Sequence, residues 1–238
     1  MRNSAVSAVL ETVVREVPGW SPHDQLLALY SLAVGTSNVE GDIFELGSWC
    51  GRSAVALGIA AKVIGCKTHC VDLFPTRQDW SQNADGTYSM RVSLPEGVIG
   101  AYQTQTVWKE PFERDIEPVY KRYGGILDAF NDTVTEFGVR DYVHDYRGTS
   151  SLLLHTPLAD RRFRLAFVDG DHGYDAVCED IERVSNRLSP GGWICFDDAF
   201  TSYDGVDQAI RDQILAKPAF DCCNQMTRKM FVARKRSR

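Results

Sequence analysis

Five apolar runs in this chain break off in glycine or a carboxylate, and most give way directly to a helical pattern. They are "GDIFELG" (41–47), "KTHCVDLF" (67–74), "RDYVHDYRG" (140–148), "RLAFVDGD" (164–171) and "WICFDD" (193–198). Among the segments between them are "CGRSAVALGIAAKVIG", almost wholly apolar, and "YDAVCEDIERVSNRL", with Val177, Ile181, Val184 and Leu188 at helical spacing. Strands alternating with helices argue for an α/β doubly wound fold, a parallel sheet covered on both faces. In such sheets ligands bind beyond the carboxyl ends of the strands. The polar residues that end these runs fall there.

Residues 1–40 read as two helices, the second opened by Ser21 as N-cap, Pro22 at the first helical position and Asp24 in the first turn. "ILDAFNDTVTEFG" is a helix with a glycine stop, "SSLLLHTPLAD" a short helix, and "GVDQAIRDQILAKP" a helix closed by Pro218. "FDCCNQMTRKMFVARK" reads as two strands around a polar turn. Over 74–125 the alternation is lost. That segment is long, polar and rich in aromatics (Trp80, Tyr88, Tyr102, Trp108, Tyr120, Tyr123). Insertions of this length serve as lids or acceptor-binding segments, or form subdomains. Its aromatics either stack on a ligand ring or pack a subdomain or dimer contact, two readings of equal weight, so a homo-oligomer is allowed. No repeat or linker divides the 238 residues, and one domain is expected.

A net charge of −6 offers no surface for nucleic acid, and the terminal "RKRSR" is a short basic tail. No window has the uninterrupted apolar length of a membrane helix. The N-terminal "MRNSAVSAVLETVVREV" carries acids within its apolar pattern and makes a poor signal peptide. Seven cysteines without framework spacing point to reduced thiols and a cytoplasmic setting. Cys66, His69 and Cys70 in "GCKTHC" lack zinc-type spacing and read as alternating residues of a strand.

"ELGSWCGRS" (45–53) is a strand, a glycine turn and a helix start. Gly47 and Gly51 allow close approach of backbone to a ligand, although glycines also serve tight packing. The spacing G-x-x-x-G differs from the dinucleotide fingerprint, which disfavours an oxidoreductase. Asp72, ending the next strand, can accept hydrogen bonds from both ribose hydroxyls of a nucleoside.

These stretches, with "FVDGDHGYDAVCEDIERVSNRLSPGGWICFDD", resemble class I S-adenosylmethionine-dependent methyltransferases, and within them the macrocin O-methyltransferase and cephalosporin-hydroxylase-like group. The resemblance implies a mostly parallel seven-stranded Rossmann-like sheet with an antiparallel C-terminal strand pair and a lid insertion. It implies S-adenosylmethionine as cofactor, with Glu45, Gly47 and Gly51 along its methionine part, Ser48, Ser53 and Asp169 as further contacts, and Asp72 on the ribose. Gly148, Thr149 and Ser150, in "YRGTS", would sit near the adenine.

At the other end of the site Asp169, Asp197 and Asp198 would converge on neighbouring strand ends. Carboxylates about 4 Å apart repel by roughly 4 kcal/mol at an effective dielectric near 20, so they need a shared proton, a basic partner or a cation. Neither motif contains Lys or Arg. An all-oxygen site suits Mg²⁺, with Ca²⁺ or Mn²⁺ as substitutes. Adjacent strand residues point to opposite faces, so Asp197 and Asp198 can act together only if the strand ends there and turns. Asp175 is expected to cap a helix, whereas Asp171 is open between cap and base. His172 stands where metal-dependent catechol methyltransferases carry a basic lysine, and is the expected base, with Asp171 competing. The expected activity is metal-dependent O-methylation of a small molecule: a sugar-bearing natural product, diol, catechol or hydroxy acid. The alternatives are a metal-independent N- or C-methyltransferase and a non-catalytic nucleoside-binding module.

Overall fold

The computed structural model describes residues 2–101, 106–155 and 157–237, so Tyr102 lies outside the described residues. Two helices, α1 (Arg2–Glu16) and α2 (His23–Gly35), precede the first strand β1 (Asp42–Leu46). Then come α3 (Arg52–Ile64) and β2 (Thr68–Asp72). The 74–125 segment holds an antiparallel meander, β3 (Trp80–Gln82), β4 (Tyr88–Leu94) and β5 (Gly97–Ala101). A helical run follows, α4 (Lys109–Pro111) and α5 (Glu117–Tyr123), joined by one π-helical turn. The main fold resumes with α6 (Ile126–Glu136), β6 (Val143–Arg147), β7 (Phe163–Val168), α7 (Tyr174–Arg187) and β8 (Leu188–Phe196). It closes with α8 (Asp204–Ile210), β9 (Phe220–Gln225) and β10 (Phe231–Lys235).

The large sheet has seven strands in the order β6-β2-β1-β7-β8-β10-β9. Its first five are parallel, and β10 runs antiparallel to both β8 and β9. Alternation in β1 sends Ile43 to one face and Phe44 to the other, into two separate apolar cores. The first core packs α1, α2, α3 and α6 through Leu10, Leu26, Leu57 and Phe130; the second packs α7 and α8 through Ile181 and Ile210. Chain order reverses between β1 and β7, which opens a crevice beyond their carboxyl ends.

Several local features depart from expectation. Pro22, not Ser21, sits at the cap of α2, without a side-chain hydrogen bond. Ser21 is buried, and its carbonyl accepts from Arg52 instead. Arg52, at the start of α3, also donates to the carbonyls of Val14 (3.0 Å) and Val17 (2.9 Å). Its guanidinium thus satisfies the open carbonyl end of α1 and ties that helix to the glycine turn. Among the described residues no helix is long and apolar enough to cross a membrane.

The meander has its own aromatic core. Tyr88 stacks on Phe112 with ring centroids 3.8 Å apart, Trp80 meets the edge of Phe112, and the Trp80 indole donates to the Tyr120 hydroxyl at 2.8 Å. Packing therefore accounts for Trp80, Tyr88 and Tyr120, whereas Trp108 is 71% exposed.

Candidate active site

The carboxyl ends of the parallel strands are held in register by bonds one residue past each strand. Gly47 donates to Val71, Gly148 to Asp72, Asp169 to Leu46 and Asp197 to Val168, at 2.8–3.0 Å. Gly47 has φ +86°, and a β-carbon there would run into the carbonyl of Asp169. Its glycine is required by the closeness of β1 and β7, not only by a ligand. Gly51, with φ +89°, lies against the Phe130 ring, so packing also explains it.

Glu45 is completely buried beneath this turn. Burial pushes its carboxyl pKa up, against the hydrogen bond from Ser48. The Ser48 hydroxyl donates to Oε2 at 2.6 Å, while Oε1 is buried without a partner. Trp49, at φ 46°, leaves its indole N–H buried and unpartnered as well. Orphaned polar atoms at a strand-end turn are the donors and acceptors that a bound polar ligand satisfies. Asp72 accepts the backbone N–H of Trp49 on Oδ2 (2.9 Å) and of Phe74 on Oδ1 (2.6 Å). Burial raises its pKa despite those bonds. The carboxylate is thereby fixed at the end of β2, with further lone pairs on each oxygen.

Gly148, Thr149 and Ser150 follow β6. Ser150 is fully buried; its hydroxyl donates to Asp180 Oδ1 at 2.5 Å and accepts from Arg183 at 3.0 Å. Thr149 accepts from Ser151 N–H. These hydroxyls face protein partners, so an adenine here would meet mainly backbone. Burial lifts the Asp180 pKa to about 6. A carboxyl raised in the folded state takes up its proton before the unfolded chain does, so stability falls as pH rises from about 4 through 6. Asp180→Asn should remove that slope. Chemical denaturation of the two proteins from pH 4 to 7 should show their stability difference shifting by roughly 3 kcal/mol in favour of the variant.

At the carboxylate end, β8 stops at Phe196 and Asp198 adopts φ 52°, so the chain turns as the paired acids require. Asp169, His172 and Asp198 come together, with one ligand atom of each within 4.8 Å of the others. His172 Nε2 lies 3.3 Å from Asp198 Oδ2, and its ring stacks on Tyr203 at 3.9 Å. Asp197 is 5% exposed and bound instead to Lys229 at 2.8 Å, while the same ammonium reaches Asp198 Oδ1 at 3.2 Å. Thus the expected trio of Asp169, Asp197 and Asp198 is replaced by one that contains the imidazole. Burial and the neighbouring Asp197 push the Asp169 carboxyl well above the usual range. Burial also raises Asp197. For Asp198 burial acts upward too, but the His172 hydrogen bond and Lys229 outweigh it and hold the carboxyl down.

Asp171 accepts the N–H of Gly173 at 2.6 Å and closes the turn before α7. Gly173 stands at the cap of that helix, and Asp175 lies within its first turn, making no side-chain cap. The expected capping role of Asp175 is thus corrected: its charge sits near the positive helix end, but the turn is closed by Asp171. His69 lies between Asp42 (3.1 Å) and the Tyr146 hydroxyl (3.0 Å), and all seven cysteines are unpaired thiols.

A family profile described as a methyltransferase domain matches residues 44–199, from β1 to the turn after β8. The chain belongs to this methyltransferase family. Solved structures share the fold of this methyltransferase at low identity. The O-methyltransferase NovP is 15% identical with a TM-score of 0.60, covering 92% of this chain and 84% of its own. An O-methyltransferase from Bacillus cereus, solved with S-adenosylhomocysteine, is 15% identical with a TM-score of 0.56, covering 96% and 91%. CalS11, a TDP-rhamnose 3′-O-methyltransferase, is 16% identical with a TM-score of 0.53, covering 97% and 93%. The glycine turn and Asp72 lie where the crevice of this methyltransferase opens.

Lys229 is the residue of this methyltransferase site that sequence reasoning missed. It lies between β9 and β10, far along the chain from either acidic motif. The one available signal was an antiparallel strand pair after the last acidic motif, whose turn must lie at the same sheet end as Asp197.

Proposed function

We propose that this methyltransferase transfers the methyl group to a hydroxyl oxygen of a small molecule, with His172 as the base. The observation that carries this reading is the pairing of His172 with Asp198 beside Asp169, at the strand ends adjoining the glycine turn. With Asp198 accepting from Nε2–H, the free lone pair of His172 is on Nδ1 and can take the hydroxyl proton. Asp198 holds the ring and stabilises the imidazolium that results, as a carboxylate does behind any catalytic histidine. The hydroxyl oxygen then attacks the methyl carbon, and the carbon–sulfur bond breaks with its electron pair left on sulfur. S-adenosylmethionine supplies that activated methyl when bound. The orphaned Glu45 oxygen fits its ammonium group, and Asp72 fits its ribose.

A divalent cation is part of the proposal. Asp169 and Asp198, with His172 beside them, fit Mg²⁺ or Mn²⁺, and such an ion would lower the pKa of a coordinated hydroxyl. A vicinal diol, a sugar or a hydroxy acid supplies two oxygens for it. The sugar acceptor of the similar CalS11 enzyme is of that kind. The second reading, metal-independent transfer, is favoured by one observation: Lys229 already neutralises two of the acids.

Calorimetric titration with S-adenosylmethionine, S-adenosylhomocysteine and NAD, each with and without Mg²⁺, tests the reading. Binding of both adenosyl ligands and none of NAD is expected; binding of NAD alone would refute it. Once an acceptor is in hand, turnover should fall about 100-fold or more in excess EDTA and return with Mg²⁺. Full turnover in EDTA would leave the metal-independent reading.

A further inference from the structure

The acids at the ends of β7 and β8 have an internal cation whose place is set by the fold. The hairpin of β9 and β10 brings Lys229 over the turn after β8, and the Lys229 carbonyl accepts the N–H of Ala199 at 2.9 Å. Gln225 donates to the carbonyl of the same Ala199 at 3.2 Å. The backbone on both sides is thus fixed, and the ammonium bonds Asp197 and Asp198 at 2.8 and 3.2 Å. Asp198 is the shared element: one oxygen faces Lys229 and the other faces His172.

We propose that Lys229 controls divalent-cation binding at Asp169 and Asp198, beside the His172 base, its ammonium competing with the metal ion for Asp198. The proposal rests on the cation reading above. Two positive centres sharing one carboxylate repel, so an ion entering the trio must either weaken the Lys229–Asp198 bond or bind less tightly because of it. Asp197 gives the ammonium a position to retreat to, since that bond is the shorter of the two. Asp197 Oδ1, buried and unpartnered, would become the second site of that pair. Lys229 therefore acts as a selectivity element: it admits ions that bind two carboxylates strongly and excludes weak ones.

The test is Mn²⁺ binding to the full chain, read from the electron paramagnetic resonance signal of free Mn²⁺, without cofactor or acceptor. Lys229→Met removes the charge at similar length, Lys229→Arg keeps it, and Asp197→Asn with Lys229→Met removes the whole buried pair while leaving the trio intact. The double variant removes the buried Asp197 charge together with its ammonium and leaves Asp198 paired with His172, so it reports on the idea even where the single variant fails to fold. Lys229→Met and the double variant should bind Mn²⁺ at least tenfold more tightly than wild type, and Lys229→Arg as weakly as wild type. Equal or weaker binding by the uncharged variants would overturn the role of Lys229 while leaving the cation site standing. Absence of Mn²⁺ binding in every form would overturn both.

Discussion

Replacing His172 by glutamine should lower turnover by about a thousandfold while leaving S-adenosylmethionine affinity nearly unchanged. The imidazole is the one nitrogen base of the Asp169–His172–Asp198 cluster, and its Nε2 lies 3.3 Å from Asp198 Oδ2. The neighbouring acid is the control. Asp171 spends one oxygen on the N–H of Gly173, a bond that an asparagine oxygen can also accept. Asp171→Asn should therefore retain turnover within about threefold, below the range of general-base loss. Single-turnover rates with saturating cofactor, alongside calorimetric cofactor affinities, separate the two. A large loss in Asp171→Asn with a small one in His172→Gln would exchange their roles.

Gly47→Ala should destabilise the whole domain. The new methyl would meet the Asp169 carbonyl, which is backbone held in the sheet and cannot swing aside. The positive φ adds its own cost. Together these should amount to about 3 kcal/mol or more and lower the melting temperature by roughly 10 °C. Gly86 has nearly the same φ, +85°, with nothing within 4 Å of an added β-carbon. Gly86→Ala should cost only the backbone part, about 1 kcal/mol. Calorimetry on both variants thus isolates the closeness of β1 and β7 from the conformation alone. Equal melting temperatures would show that the sheet yields at Asp169.

The parallel framework was legible because each strand carries its own boundary. Runs such as "RLAFV" are too short for helices and end in residues that a strand interior would not hold. The trio at the carboxylate end was legible in part, since Asp169 and Asp198 sit at the ends of runs. What escaped were relations that no local pattern encodes. Lys229 reaches Asp197 only because the last strand turns back against β8. His172 enters the trio because the turn that the paired acids required, with Asp198 at φ 52°, brings one carboxylate oxygen to within 3.3 Å of its ring. The β3–β4–β5 meander is a different case, for its signals were present: an Asp85–Gly86 turn beside the alternating "YSMRVSL". They were obscured by the polar residues around them.

Arg52 stands at the positive end of the α3 dipole, an unfavourable place for a cation. It is tolerable because the negative end of α1 faces it, with Val14 and Val17 offering their carbonyls. The first helix therefore serves as the counter-charge of the glycine turn. Shortening the chain from its start would strand a half-buried guanidinium beside Gly51 and Trp49. The damage would be felt in the crevice beyond β1 and β7 before it was felt at the edge of the fold.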